Sequence, residues 1–173
     1  MVRGMPTDYF IGFLEHKARG GACQVTLGEN PVDERGAHTK KLDMSSEMLP
    51  LLAEIAQAIK ENGAVASAEL THGGTEANPL YNTKPIIGPV GLTREDGVVV
   101  QEMDEEIMNE VADSFAQKAL LFKLAGFDMV MVHCGHNWLL SYFLSPITNT
   151  RTDKYGASVE NRMRFPLMVL RRV

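Results

Sequence analysis

The stretch Phe127–His136, FDMVMVHCGH, decides the fold of this chain. Its first six residues, Phe127–Val132, form an apolar run of the kind that makes one buried parallel strand. His133 and His136 come directly after that run, where the strand gives way to a loop. Barrel and doubly wound α/β enzymes keep their chemistry at the carboxyl ends of such strands. The stretch therefore predicts a site with two imidazoles at the end of a parallel strand.

Helical and strand patterns alternate over the rest of the chain. The predicted helices are Thr7–Arg19 with Thr7 as N-cap, Ser46–Asn62, a helix that Asp104 caps and Gly126 ends, and a last helix that Ser158 caps and Pro166 kinks. The predicted strands are 22–27, closed by a loop at 28–31, then 64–71 and 128–133. Such alternation predicts right-handed crossover units on a parallel sheet, which is an α/β fold. Three strands are too few to close a barrel, which normally takes about 250 residues.

The segment His72–Gln101 is predicted to be a long loop. It is rich in proline and glycine, and its β-branched patch Val98–Val100 predicts one small hairpin within it. Loops of this length in compact domains usually have a function.

Composition limits the classes of protein and partner. The 173 residues are 45% hydrophobic and 23% charged, which predicts one globular unit with a real core. The net charge of −5 is spread without a basic stripe, so neither a nucleic acid nor a membrane surface is an expected partner. Cys23 and Cys134 are the two cysteines, and they are predicted to be free thiols of a cytoplasmic protein. The residues Met1–Pro6 lack the apolar core of a signal peptide, and no apolar run reaches the ~18 residues of a membrane span.

A longer set of motifs surrounds the two imidazoles. They are His133–Leu140, Phe143–Pro146, Asn149–Asp153, Tyr155–Gly156, Asn161–Arg162 and Arg164–Phe165, with weaker echoes upstream at Lys17–Gly21 and Glu69–Gly74. This pattern closely resembles the old yellow enzymes and their relatives, the FMN-dependent NADH:flavin oxidoreductases. The resemblance covers essentially the whole chain but only part of the family's eight-stranded TIM (β/α)8 barrel. It implies a partial barrel, strands two to four with their helices, and one incomplete FMN-barrel segment over residues 1–173.

The resemblance also implies a reaction. In this family NADH or NADPH reduces the flavin, and the flavin passes hydride from N5 to the β-carbon of an activated alkene, for example an enoate, dienoyl or steroid-like substrate. His133 and His136 would be the catalytic residues of this ene-reductase chemistry, because their ring N–H groups would hold the carbonyl oxygen of the unsaturated substrate. Glu69 falls where the family has a glutamine on the flavin ring, so it would be protonated or contact only a ring N–H. Gly28 and Glu29 correspond to a backbone contact near the same ring.

Trp138 departs from the family, which has a tyrosine there to protonate the α-carbon. An indole N–H is not a workable acid, so three routes stay open. Tyr142 replaces the tyrosine from one turn further along, water supplies the proton, or the enzyme passes electrons to an acceptor that needs no protein acid.

Several residues have a second interpretation. His-Cys-x-His at 133–136 has the residue types of a metal cluster, but neighbouring extended residues point to opposite sides, so no metal site is expected. Arg151, Asp153, Tyr155 and Arg162 are predicted to form a polar network that fixes a loop. For His72 a structural and a catalytic role are equally favoured.

Two alternative functions remain open at this point. The chain can be a truncated, non-catalytic fragment that binds FMN weakly and associates, as a homo-oligomer or otherwise, through exposed sheet edges. Histidines at strand ends are also found in metal-dependent hydrolase barrels, which would be colourless and sensitive to chelators, whereas a flavoenzyme is yellow.

Overall fold

The computed structural model of the protein describes residues 6–39 and 46–173. Residues 1–5, which belong to the segment inspected for a signal peptide, lie outside that range. The helices are α1 (Asp8–Arg19), α2 (Leu49–Lys60), α3 (Glu105–Leu124), α4 (Leu139–Leu144), α5 (Val159–Arg162) and α6 (Arg164–Arg172). The strands are β1 (Gln24–Pro31), β2 (Val65–Thr71), β3 (Ile87–Gly88), β4 (Leu92–Thr93), β5 (Val99–Glu102) and β6 (Met129–Val132). Across the described residues, no helix combines the length and the apolar content that a membrane span requires.

The residues pack into two compact units. Among the described residues, the sheet unit consists of 6–30, 46–70 and 117–131, and the loop unit consists of 31–39, 71–116 and 132–173. Each unit is described separately below.

The sheet unit is built on a parallel sheet with the strand order β1-β2-β6. Its helices α1 and α2 pack against each other, and α2 buries Leu52, Ile55 and Ile59 completely. Three alternate residues of β2, at 66, 68 and 70, are also fully buried, as expected for one face of a strand covered by helices. The predicted α/β fold with a parallel sheet is therefore confirmed. The prediction that the strand before His133 is buried was wrong, because β6 is an edge strand of this sheet and leaves Met129 and Met131 exposed.

Polar caps begin the helices where the sequence predicts them. The side chain of Thr7 accepts from the backbone N–H of Phe10 at the start of α1. Asp104 Oδ1 accepts from Ile107 N–H at 2.8 Å at the start of α3, and Ser158 caps α5. Each cap supplies an acceptor for a backbone N–H that has no partner inside its own helix.

Two predicted boundaries were wrong. The loop predicted at 28–31 is a continuation of β1, which runs to Pro31. The proline is tolerated because it ends the strand, where a missing N–H costs little. The predicted kinked last helix is two helices, α5 and α6, separated at Met163. Pro166 lies in the first turn of α6, where its missing N–H is not needed, so the chain restarts a helix instead of bending one.

The loop unit contains the predicted hairpin. β4 and β5 are antiparallel, with Leu92 opposite Val100, and β3 adds to β5 in parallel, which the sequence did not predict. Arg151 donates to the carbonyl oxygens of Pro89 and Met103 at 2.7 and 2.9 Å. Three further contacts complete this network, namely Arg151 with Asp153, Tyr155 with Glu105, and Arg162 with the Leu144 carbonyl. The polar residues around Arg151 therefore make scaffold contacts, as the sequence predicts.

Candidate active site

Two imidazoles lie together directly after β6. His133 Nε2 and His136 Nδ1 are 3.3 Å apart, and the two rings are stacked with centroids 5.2 Å apart and planes 22° from parallel. His133 is half-buried, whereas His136 is exposed. The structure thus brings the two predicted catalytic residues side by side within the loop unit.

The loop His133–Trp138, called the imidazole loop below, owes its shape to two left-handed residues. His136 has φ 55° and Asn137 has φ 58°, a backbone region that costs energy for residues other than glycine and that asparagine tolerates best. Ser141 Oγ donates to the carbonyl oxygen of Gly135 at 3.1 Å. The backbone N–H of Leu139 donates to the His72 carbonyl at 3.0 Å, which ties the start of α4 to the end of β2. The turn folds His136 back over His133.

The hydrogen-bond pattern fixes which ring nitrogens carry protons. His133 Nε2 lies 3.2 Å from the Gly135 carbonyl oxygen, which can only accept, so His133 carries a proton on Nε2. His136 Nδ1 then accepts from the same group, and the proton of a neutral His136 is on Nε2. An incoming oxygen can therefore take one N–H from each ring once His133 turns its donor away from Gly135.

Trp138 lies between two imidazoles. Its ring centroid is 4.5 Å from that of His133 and 5.6 Å from that of His38. His38 Nδ1 is 2.8 Å from the carbonyl oxygen of Glu76, so this nitrogen must be the donor. The sequence did not single out His38, because a contact across a hundred positions leaves no local pattern.

Tyr142, a possible replacement acid, is held by a carboxylate. The helix predicted to carry it is present as α4. Its phenol donates to Glu76 Oε1 at 2.6 Å. Burial and this hydrogen bond raise the pKa of Tyr142 to about 12. The phenol therefore keeps its proton and donates its hydrogen bond to Glu76, not to the imidazole loop.

His72 has a different environment from the imidazole pair. It is fully buried, and its Nδ1 accepts from the backbone N–H of Gly74 at 3.0 Å. Nε2 then carries the proton and lies 3.8 Å from Asp33 Oδ1. A side chain at Gly36 would begin 2.7 Å from the His72 ring, so only glycine fits there. These contacts give His72 a structural role.

Asp33 anchors a buried charge cluster beside His72. Arg35 donates to both of its carboxylate oxygens, from Nε at 2.7 Å and Nη2 at 2.8 Å, and also pairs with Glu110 at 3.0 Å. Burial alone would raise the pKa of Asp33, but the hydrogen bonds from Arg35 and the nearby His72 outweigh it and hold that pKa well below its usual range.

The predicted flavin-contacting residues lie in the sheet unit. Glu69 reaches across to Gly28, since a side chain at Gly28 would begin 2.6 Å from Glu69 Oε2. The peptide between Gly28 and Glu29 is cis. Asn30, predicted to be a loop residue, donates to the carbonyl oxygens of Leu27 at 2.7 Å and Glu69 at 2.9 Å. The ends of β1 and β2 are thereby joined through one amide.

Other candidate ligands of a metal do not converge. Cys23 and Cys134 are free thiols, as predicted. Among residues 6–39 and 46–173, no group of three or more histidine, cysteine, aspartate or glutamate side chains is arranged to hold a metal ion.

A comparison with known families identifies the family of the chain. The model of the NADH:flavin oxidoreductase / NADH oxidase family matches residues 3–173. The chain belongs to this family. Membership confirms the resemblance that the motifs predict and identifies the parallel sheet as part of a TIM barrel; the family is one of FMN-dependent oxidoreductases that use NADH or NADPH. It also favours the flavoenzyme over the metal-dependent hydrolase.

The relatives are longer than this chain. It is 36% identical over 182 residues to 4,4'-dithiodibutanoate disulfide reductase from Rhodococcus erythropolis, and the match covers 100% of the chain but 43% of the relative. It is 38% identical to NADPH dehydrogenase from Halalkalibacterium halodurans, covering 94% and 48%. The solved structure of old yellow enzyme from Pichia sp. AKU4542 superposes with a TM-score of 0.86 at 26% identity, covering 98% and 48%. The chain spans less than half the length of each of these three NADH:flavin oxidoreductase relatives.

The sheet unit offers polar groups that suit FMN. Asn30 Oδ1 and Ser67 Oγ, on neighbouring strands, are buried and make no hydrogen bond within the described part of the chain. Buried polar atoms of this kind normally have a partner. The Glu69 carboxylate, which lies beside Gly28, adds a further polar group near these two atoms. These residues fit a cofactor whose ring edge carries both N–H and carbonyl groups.

Proposed function

We propose that residues 1–173 are one incomplete barrel segment of an FMN-dependent oxidoreductase that uses NADH or NADPH to reduce unsaturated carbonyl compounds. Activated alkenes of the enoate, dienoyl or steroid type belong to this substrate class. The observation that carries the proposal is the stacked pair His133 and His136, with ring nitrogens 3.3 Å apart at the end of β6.

The imidazole pair acts on the substrate's carbonyl oxygen. When two electrons and a proton arrive at the conjugated system as hydride, negative charge moves onto that oxygen. Two N–H donors on that oxygen, one from His136 and one from His133 once it turns from the Gly135 carbonyl, stabilise the charged oxygen more than the neutral carbonyl, and only such a difference lowers the barrier. The left-handed residues at 136 and 137 hold the second donor in place before the substrate binds.

The sheet unit holds the flavin in this proposal. FMN, when bound, supplies the hydride from its N5 position. Glu69 would accept from a ring N–H or be itself protonated, and the backbone at Gly28 and Glu29 would contact the ring. Asn30 keeps these groups together through its bonds to the Leu27 and Glu69 carbonyls.

The 173-residue chain alone is expected to bind FMN weakly. Met129 and Met131 of β6 are 45% and 43% exposed, and β6 is an edge strand of the sheet. Exposed apolar edge strands favour association with another strand or another copy of the chain. Titration of the refolded chain with FMN, followed by flavin fluorescence, tests this; tight stoichiometric binding would refute it. The two free thiols support a cytoplasmic location.

A titration with a phenol tests the proposed role of the imidazole pair. A phenolate places a negative oxygen where the substrate oxygen would lie. Trp138 is the only tryptophan in the sequence and lies beside His133, so its fluorescence reports binding directly. We expect a saturable change whose affinity falls about 100-fold in His133→Ala, whereas His16→Ala, an exposed histidine of α1, leaves the affinity unchanged. An unchanged affinity in His133→Ala would contradict the proposal.

A further inference from the structure

Four aromatic rings form a continuous row in the loop unit. His136 stacks on His133, His133 contacts Trp138, and Trp138 contacts His38, with centroid distances of 5.2, 4.5 and 5.6 Å. His38 is itself fixed by its bond to the Glu76 carbonyl. Trp138 is therefore held between two imidazoles as a rigid apolar wall next to the proposed oxygen-binding pair.

In the proposed function this row offers donors for an oxygen and leaves no acid for a carbon. The N–H groups of His133 and His136 are taken by the substrate oxygen, His38 Nδ1 donates to the Glu76 carbonyl, and the indole N–H of Trp138 donates hydrogen bonds without giving up its proton. The nearest phenol of α4, on Tyr142, is bound to Glu76. Within the described residues of the row, a reaction that ends with charge on an oxygen is supported, and a reaction that must protonate carbon is not.

We propose that Trp138 determines the acceptor class of the enzyme, by favouring quinones over simple α,β-unsaturated ketones. This inference rests on the proposed function, because it chooses among substrates of the same site. A quinone that accepts hydride, two electrons and one proton, from the reduced flavin becomes a hydroquinone anion. Its charged oxygen is held by His133 and His136 and takes the second proton from water.

An enone makes a different demand. Hydride adds to its β-carbon and leaves an enolate, which becomes product only when a proton is placed on the α-carbon. A positioned general acid accelerates such a step by about 100-fold to 10,000-fold. Water must do this work unassisted beside Trp138, so enone reduction is slow while quinone reduction is not.

One relative fits the same rule. The disulfide reductase from Rhodococcus erythropolis, 36% identical to this chain, is named for an acceptor in which the reduced bond joins two sulfur atoms. Thiolates, like hydroquinone oxygens, exchange protons with water directly and need no proton on carbon.

The test compares two acceptors in the holoenzyme, the protein that contains these residues with FMN bound. The flavin is reduced with NADPH without oxygen and then mixed with tetramethylbenzoquinone or 2-cyclohexenone. The methyl groups prevent the quinone from alkylating exposed thiols such as Cys134. We expect the quinone to reoxidise the flavin at least about 100-fold faster than the enone. Trp138→Tyr should raise the enone rate at least about tenfold, and Trp138→Phe, which adds no acid, should not.

A second readout needs no flavin. In the 173-residue chain, tetramethylbenzoquinone should quench the fluorescence of Trp138 saturably, and 2-cyclohexenone should do so only at much higher concentration.

Two control variants apply to the holoenzyme. Tyr142→Phe and Cys134→Ala should leave its slow rate of enone reduction unchanged.

The outcomes separate the two levels of the proposal. Three results would overturn the role of Trp138 and leave the proposed function intact. The first is reoxidation of the flavin at equal rates by both acceptors, and the second is an equal gain in enone rate in Trp138→Tyr and Trp138→Phe. The third is loss of the enone rate in Tyr142→Phe or Cys134→Ala. Failure of both acceptors, together with an unchanged phenol affinity in His133→Ala, would overturn the proposed function as well.

Discussion

His72 and the pair His133 and His136 occupy similar places in the sequence, because each follows a strand. Their burial and their hydrogen bonds nevertheless differ. His72 is fully buried, with one nitrogen bonded to the Gly74 N–H and the other facing Asp33. His133 is half-buried and His136 is exposed, and their facing nitrogens lie within hydrogen-bond distance of each other and of one carbonyl oxygen. Both environments lie in the same unit of the molecule.

The difference teaches how to separate a scaffold histidine from a reactive one. Position at a strand end does not decide it, because all three residues share that position. Their surroundings decide it: the His72 side chain is fully buried, with Nδ1 bonded to the Gly74 N–H and Nε2 facing Asp33 at 3.8 Å, so it has no surface open to a ligand, whereas the more exposed pair can exchange its mutual contact for a substrate oxygen. Mutations should therefore affect stability at one site and ligand binding at the other.

The largest expected effect is a loss of stability in His72→Ala. The change leaves a cavity and deprives the Gly74 N–H of its acceptor, so we expect the free energy of unfolding to fall by about 3 kcal/mol. Urea unfolding at pH 7 measures this. The matched control His16→Ala removes an exposed imidazole and should change the free energy by less than about 0.5 kcal/mol. Equal losses of stability in His72→Ala and His16→Ala would contradict the structural role of His72.

Asn30 extends the comparison to the sheet unit, since it too is a buried polar residue. Its side-chain NH2 group donates to two backbone carbonyl oxygens. Asn30→Ala leaves the carbonyl oxygens of Leu27 and Glu69 without their shared donor, and we expect a loss of about 2 kcal/mol in unfolding free energy. Asn62→Ala in the same unit, where one half-buried bond to the Ala58 carbonyl is lost, should cost about 0.5 kcal/mol. Equal losses would mean that the Asn30 bonds add no special stability.

Acid should weaken the His72 environment through Asp33. The pKa of Asp33 is held below its ordinary value of 3.8 in the folded protein, so the unfolded chain takes up a proton first as the pH falls. The stabilisation is complete above about pH 4 and is lost below it at about 1.4 kcal/mol per pH unit. Urea unfolding at pH 7, 4 and 3 measures this slope. In Asp33→Asn the unfolding free energy should fall less steeply with pH, by about 1.4 kcal/mol per pH unit. The same pH dependence in both proteins would show that Asp33 does not cause the loss of stability in acid.

The sequence predicts much of this arrangement and misses parts of it for physical reasons. The strand before His133, the helix at α4 and the caps at Thr7, Asp104 and Ser158 follow from local patterns, since each depends on residues a few positions apart. The strand character of 28–31 was missed because Gly, Asn and Pro usually mark a loop, whereas here Asn30 is held by a carbonyl 39 positions away. The contact between His38 and Trp138 likewise joins residues far apart in the chain. The roles of Gly28, Glu29 and Glu69 come from the family resemblance and stay predictions.

A double-mutant cycle on the imidazole pair tests the central claim most directly. Phenol affinity is measured by Trp138 fluorescence in the wild type, His133→Ala, His136→Asn and the double variant; asparagine at 136 tolerates the left-handed backbone. If both rings act on one oxygen, the two losses will not add, and the coupling energy will be at least about 1 kcal/mol. Additive losses, with coupling below about 0.3 kcal/mol, would show that the two histidines do not share a ligand and would contradict the account.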